Sequence, residues 1–236
     1  MSVLSVARAP WGRDLDPVIA IDGQAGSGKS TVSALLGERC GVPVLTTGVY
    51  FRAITKVLVD SAHRKHLDLS QSSHDLAELL RSVVLKLVGE RVFVNEVDVS
   101  DALRSSEVTE LLPLVSANPL VRAMILSLER HWVREHGSCV VEGRDIGSVV
   151  FPNAYVKFFL TASDEIRQAR RSEEGASVLE RDRRDATRTQ APSVPARDAV
   201  VVDTTNMSVS EVVHYLEEIV TFRVVELTST KEREYR

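Results

Sequence analysis

Residues Gly23-Gln24-Ala25-Gly26-Ser27-Gly28-Lys29-Ser30 satisfy every fixed position of the pattern G-x-x-x-x-G-K-[ST]. Chemistry explains the spacing. The glycines let successive backbone N–H groups curl around phosphate oxygens, and a helix beginning at the lysine turns its positive end toward them. At average residue frequencies, a chance match occurs on the order of once per hundred chains of this length. The flanks agree with the motif. Val18-Ile19-Ala20-Ile21 is a short apolar run of the kind found in a buried parallel strand. Thr31–Cys40 has helical composition and stops at Gly41. Lys29 should reach the β- and γ-phosphates, and the Ser30 hydroxyl should serve a Mg²⁺ ion. A nucleoside triphosphate site is therefore expected over Gly23, Gln24, Ala25, Gly26, Ser27, Gly28, Lys29, Ser30 and Thr31.

The strand–loop–helix pattern repeats. A second short strand at Val42–Leu45 leads through Thr46-Thr47-Gly48 into a helix over roughly 49–62. Between about 64 and 136 the pattern changes. A helix near Asp75–Arg81 precedes strand-like segments at Val83–Val88 and Arg91–Asn95, joined by Gly89-Glu90, with a short edge at Val97–Val99. Helices follow at Ser105–Leu112 and Leu120–Arg134, punctuated by Pro113 and Pro119. In the second of these, Val121, Met124, Ile125, Leu128 and Trp132 share one face, which reads as core. The β/α alternation then resumes with strands at Cys139–Val141, Val156–Leu160 and Ala199–Val202, and helices at Asp164–Arg171 and Ser208–Val220. The expected fold is an α/β, three-layer P-loop NTPase architecture with a parallel central sheet. A small antiparallel β/helical insert and a short lid complete it. The expected organisation is a flexible leader over 1–16, then a P-loop domain over 17–226. Its core is 17–63 and 137–226, its insert about 64–136 and its lid about 170–188. A frayed tail over 227–236 follows.

Composition narrows the partners. The 236 residues carry 29 Lys and Arg against 33 Asp and Glu, a net charge of −4, so the overall field does not suit a polyanion. Anion binding must come from local clusters. Two cysteines, Cys40 and Cys139, do not form a disulfide framework in a chain of this size and read as buried thiols in a reducing compartment. No apolar run reaches membrane-spanning length, and the first residues lack the apolar stretch of a signal peptide. The chain is expected to be cytoplasmic and monomeric, acting on small-molecule nucleotides, with no nucleic-acid or membrane partner.

Charge placement sorts the P-loop classes. The base-reading N-K-x-D loop of a GTPase does not occur. Val140-Val141-Glu142 runs directly into Gly143-Arg144-Asp145, and arginine so close to a strand end suggests a second anionic substrate beside the triphosphate. Arg52 lies one helical turn past the second strand. Arg181, Asp185 and Arg188 recur at i, i+4 and i+7, which puts two guanidiniums and a carboxylate on one helix face. Arg170 and Arg171 suit a lid over the transferring group. Glu142 suits a substrate contact or a Mg²⁺-bound water.

These residues resemble the bacterial cytidylate (CMP/dCMP) kinase family over about 18–220. The most specific pieces are Ile19–Gly23 entering the loop, Glu142-Gly143-Arg144-Asp145-Ile146-Gly147-Ser148-Val149-Val150-Phe151-Pro152, Arg181–Arg188 and Asp203-Thr204-Thr205. The resemblance implies transfer of the ATP γ-phosphoryl group to CMP or dCMP, with Mg²⁺. Lys29 and the loop would hold ATP. Arg52, Arg144 and Arg188 would hold the acceptor phosphate, Arg122 and Asp145 the cytosine, and Arg181 with Asp185 the sugar. Thr47 and Glu142 would complete the acceptor site, and Lys29, Arg144 and Arg188 would be catalytic. Three departures stand out. Thr46 occupies the place of the family's usual acid, and Phe51 lacks the hydroxyl usual beside the phosphate. Pro113 stands nine residues before Arg122, where a base-contacting serine is common, with Ser116 displaced nearby. Only nine residues separate Arg171 from Arg181, a shorter lid than usual. A paralogue acting on a modified cytidine nucleotide or another phosphorylated metabolite is the alternative reading, and a non-catalytic nucleotide-binding module a third.

Overall fold

Strand β1 (Asp16–Gly23) has neighbours on both sides, β6 (Cys139–Glu142) and β7 (Ala154–Thr161), and all three pair in parallel. With β2 (Val44–Thr46) beyond β6 and β8 (Val200–Asp203) beyond β7, the sheet runs in the order β2-β6-β1-β7-β8. This computed structural model describes residues 16–65, 74–89, 91–170 and 193–234, with backbone alone for 62–65 and 227–234. Two compact units divide the chain. One takes the residues up to Thr46 and from His131 on, the other Thr47–Arg130.

In the first unit β1, β6 and β7 read as nearly continuous apolar runs because these strands are covered on both faces, whereas the edge strand β8 exposes Val201. Helix α1 (Lys29–Cys40) contributes Val32, Leu36 and Cys40 to the core, packed with Ile19, Ile21, Val140 and Phe158. The last helix of the described chain, numbered α7 below (Val209–Glu234), adds Val212, Val213, Leu216, Val220 and Val224. That helix runs well past Val220, where its sequence pattern ends, and takes in residues that the sequence assigns partly to a frayed tail. Cys40 and Cys139 are free and buried, and burial pushes their thiols up to about 11 and about 12.

The second unit holds α2 (Gly48–Lys65), α3 (His74–Arg81), the antiparallel strands β3 (Leu85–Val88), β4 (Arg91–Val94) and β5 (Val97–Asp98), and helix α4 (Ser106–Ala117). Helix α5 (Pro119–His136) starts here and crosses the boundary at Arg130. The two prolines turn out to differ. Pro119 opens α5 at its first position, where a missing N–H costs nothing, and the Asn118 Oδ1 accepts from the N–H groups of Leu120 and Val121. Pro113 was expected to end a helix, yet α4 continues through it to Ala117. Packing against α2 overrides the local preference. On α5, Val121 and Ile125 are buried and Met124, Leu128 and Trp132 half-buried, so the apolar stripe is core. Helix α6 (Asp164–Ala169) is capped by the Ser163 hydroxyl and ends just short of its expected Arg171.

Candidate active site

The phosphate loop connects β1 to α1 at the C-terminal edge of the parallel sheet, where such folds place their ligands. Its shape rests on two glycines with no room for a side chain. A Cβ on Gly23 would stand 2.1 Å from the Leu160 carbonyl oxygen, and one on Gly26 2.7 Å from that of Arg167. Both positions also have positive φ, +146° and +76°. Gly28 caps α1 with no side-chain bond to the first-turn N–H groups. Ser30 and Thr31 are exposed there. Lys29 is buried and its ammonium donates to the Gln24 carbonyl at 2.7 Å; the Ser27 hydroxyl donates to the same carbonyl at 2.9 Å. Lysine and loop thus form one preorganised cationic cradle.

Glu142 at the end of β6 and Arg144 and Asp145 just after it complete this side. Ser30 Oγ donates to Glu142 Oε2 at 3.3 Å. A hydroxyl and a carboxylate facing one another beside a phosphate loop are the oxygen donors Mg²⁺ takes. Among the described residues no group of three or more His, Cys, Asp or Glu could hold a metal. The fit is thus to an ion shared with phosphates and water rather than to an all-protein cage. Arg144 Nη1 donates to the Gly23 carbonyl at 3.1 Å, which sets a guanidinium against the loop's first residue. Asp145 is buried next to it. Thr46, at the end of β2, stands opposite Glu142 in register, so a neutral side chain neighbours that carboxylate.

Three supporting residues carry no expected role from sequence. Asp22 is only 4% exposed, and its two oxygens accept the N–H groups of Ile146 at 2.8 Å and Gly147 at 2.7 Å. Burial raises its carboxyl to about 7, with Asp145 adding to the rise; the two N–H groups and Lys29 oppose it. An acid closing an apolar strand run was the available signal. Arg167, 2% exposed, donates to the carbonyls of Ala25 at 3.2 Å and Ala162 at 3.1 Å, and to Asp164 at 2.5 Å. Thr204 is buried, and its hydroxyl lies within bonding distance of the Ser27 carbonyl at 3.2 Å and the Thr161 carbonyl at 3.1 Å. Arg170, expected in a lid, lies at the end of α6 and donates to the Thr204 hydroxyl and carbonyl, both at 3.1 Å. It is therefore anchored through Thr204 to the loop's own wall.

The second unit brings together its own set. Arg52 on α2 donates to the Leu103 carbonyl at 3.0 Å and to Thr109 Oγ1 at 3.3 Å. The Arg122 guanidinium lies over the Phe51 ring, 5.6 Å from its centroid, and donates to the Ser116 carbonyl at 3.1 Å. Phe51, which lacks the hydroxyl usual in the resembled family, thus supports an arginine. Ser116 Oγ is turned to the Pro113 carbonyl. Thr47 is buried, and its carbonyl accepts from Tyr50. Arg171, Arg181, Asp185 and Arg188 lie outside the described residues.

A parallel sheet with a lysine-bearing glycine loop after its central strand, a Ser–Glu oxygen pair and an arginine on the loop define a P-loop nucleotide-binding protein. The family model described as cytidylate kinase matches residues 19–221. A cytidylate kinase from Mycobacterium leprae is 39% identical over 218 residues, covering 87% of this chain and 96% of its own. One from Pelotomaculum thermopropionicum is 42% identical over 214 residues, 84% of this chain and 92% of its own. One from Thermotoga maritima is 38% identical over 219 residues, 87% and 97%. The chain belongs to the cytidylate kinase family and is a phosphotransferase. No single helix among the described residues is long and apolar enough to cross a membrane.

Proposed function

We propose that this enzyme transfers the γ-phosphoryl group of ATP to CMP or dCMP, giving ADP and CDP or dCDP. An oxygen of the acceptor phosphate attacks the γ-phosphorus as the bond to the β–γ bridging oxygen breaks. The acceptor is already an anion, so alignment and charge neutralisation carry the catalysis and no strong base is needed. The loop N–H groups and Lys29 hold the triphosphate. Arg144 offers a guanidinium to charge that develops between the two phosphates, and Asp145 follows it toward the base. Ser30 and Glu142 would hold Mg²⁺, which neutralises phosphate charge when bound. Arg52, Arg122 and Thr47 bind the acceptor, as do Arg181, Asp185 and Arg188, which lie outside the described residues. On this reading residues 64–136 form the acceptor-binding insert and 170–188 the lid, in a cytoplasmic monomer.

The observation that carries the reading is the Arg144 guanidinium bonded to the first carbonyl of the phosphate loop. It supports a reading in which Arg144 serves the acceptor phosphate from beside the phosphate loop. Family membership supports the choice of acceptor. A coupled assay of ADP release with CMP, dCMP, UMP and AMP tests it. Rapid turnover of CMP or dCMP is expected, and no turnover of any pyrimidine monophosphate would overturn the reading.

A further inference from the structure

Four hydrogen bonds stitch the segment carrying Arg144 and Asp145 to three successive residues at the end of β1. The Gly143 N–H donates to the Ile21 carbonyl at 3.1 Å, and Arg144 Nη1 to the Gly23 carbonyl at 3.1 Å. The N–H groups of Ile146 and Gly147 donate to Asp22 Oδ1 and Oδ2 at 2.8 and 2.7 Å. Two side chains thus cross in opposite directions, Asp22 outward to the segment and Arg144 back to the loop. Asp22 receives its donors at the opening of a single π-helical turn, Ile146–Val150, a local geometry that concentrates at functional sites. Burying a carboxylate at the centre of a sheet is costly. An apolar residue would complete β1 more cheaply but would leave two N–H groups beside the loop without acceptors.

We propose that Asp22 is a positioning residue for phosphoryl transfer: its carboxylate sets the backbone of Gly143–Gly147, and through it Arg144 and Asp145, against the phosphate loop. The role rests on the proposed kinase reaction. Asp22 is buried and both of its oxygens are taken by backbone N–H groups, so it acts through the segment it holds. It decides where the guanidinium that meets the acceptor phosphate stands relative to the triphosphate, a placement on which alignment catalysis depends steeply. Asn at this position keeps the size but turns one acceptor into a donor that faces an N–H group.

The test compares the full-length wild type with Asp22→Asn at pH 8, with CMP and ATP as probes. The expected result is a loss of about 10- to 100-fold in kcat/KM for CMP, of the size lost with a buried charge-assisted hydrogen bond. KM for ATP should stay within about twofold. In an Arg144→Ala background the same substitution should cost less than about threefold, because the two residues act as a unit. Equal losses for both nucleotides, or full additivity with Arg144→Ala, would overturn the role. Should Asp22→Asn not fold, Gly147→Ala replaces it. Its Cβ would crowd Lys157 Cδ at 3.0 Å, a side chain tied at its end to Pro152 and Asp198, and so press on one of the two donors while Asp22 stays. A selective rise in KM for CMP then supports the role, and unchanged kinetics overturn it. A separate readout keeps this inference distinct from the kinase reading. The amide protons of Ile146 and Gly147 should exchange at least about 10-fold faster in Asp22→Asn whatever the acceptor proves to be. Unchanged exchange overturns the positioning role, whereas absent turnover in the wild type overturns only the reaction.

Discussion

Replacing Arg167 with Met keeps most of the side-chain volume in the core and removes the hydrogen bonds donated to Ala25, Ala162 and Asp164. The partners lose unequally. Asp164 is 57% exposed and regains water, so its pair contributes about 0–1 kcal/mol. The carbonyls of Ala25 and Ala162 are bonded by a side chain that is itself 2% exposed. Each loses a buried donor, at about 1–3 kcal/mol. Burying a guanidinium is expensive, and removing it returns part of that sum. A net destabilisation of about 2–4 kcal/mol follows, a large share of the ~5–15 kcal/mol typical of folded domains. For a chain of this size that corresponds to a fall of about 5–15 °C in Tm, measurable by differential scanning calorimetry. Because Ala25 belongs to the phosphate loop, its peptide is released as well. ATP affinity by isothermal titration should weaken by about 10-fold. A variant melting within about 2 °C of wild type with unchanged ATP affinity would refute the reasoning. Arg167 would then be a passive occupant of the core.

Two further predictions concern the acceptor side and the buried acid. Phe51→Leu removes the ring beneath Arg122 and should raise KM for CMP by about 3- to 10-fold with KM for ATP unmoved, as expected for a partly buried cation–π contact; equal KM values in steady-state assays would show the ring to be incidental. Asp22 titrates near 7 in the folded protein against 3.8 ordinarily, so the fold holds its proton more tightly than the unfolded chain does. The stability from this group is therefore complete below about pH 4 and is lost as pH rises through about 7. Asn does not titrate, and urea unfolding from pH 4 to 8 should show Asp22→Asn gaining relative stability, by up to roughly 4 kcal/mol. A relative stability independent of pH would contradict a buried, destabilised carboxylate.

What could be read from the sequence was what acts locally. The phosphate loop is a contiguous motif whose glycines, lysine and serine need only one another and the adjoining strand and helix. The parallel strands announced themselves as apolar runs. The supporting residues did not, because their roles depend on pairings across the chain. Nothing near Arg167 in sequence indicates that it braces Ala25, and Asp22 gains its meaning from Ile146 and Gly147. Thr204, quoted within a family motif, acquires a role only when it meets the Ser27 carbonyl and Arg170. Pro113 misled for the converse reason, since a sound local rule about helix ends yielded to packing between α2 and α4. Asn118-Pro119, in contrast, was a legible helix start: a capping side chain followed by proline at the first helical position.

The strand order also governs how the nucleotide site comes into being during synthesis. Val18 pairs with Cys139 and Ile19 with Val156, so β1 waits for two neighbours encoded much later than itself. Until β7 emerges, the Gln24 N–H lacks the Leu160 carbonyl that anchors the loop, and Ala25 lacks Arg167. Loop closures of that length are slow, and the apolar run Val18–Ile21 stays open to other chains meanwhile. ATP can stabilise only a chain in which Leu160 and Arg167 have already been made and paired. Nucleotide binding therefore protects the enzyme only once β1 has found both of its neighbours.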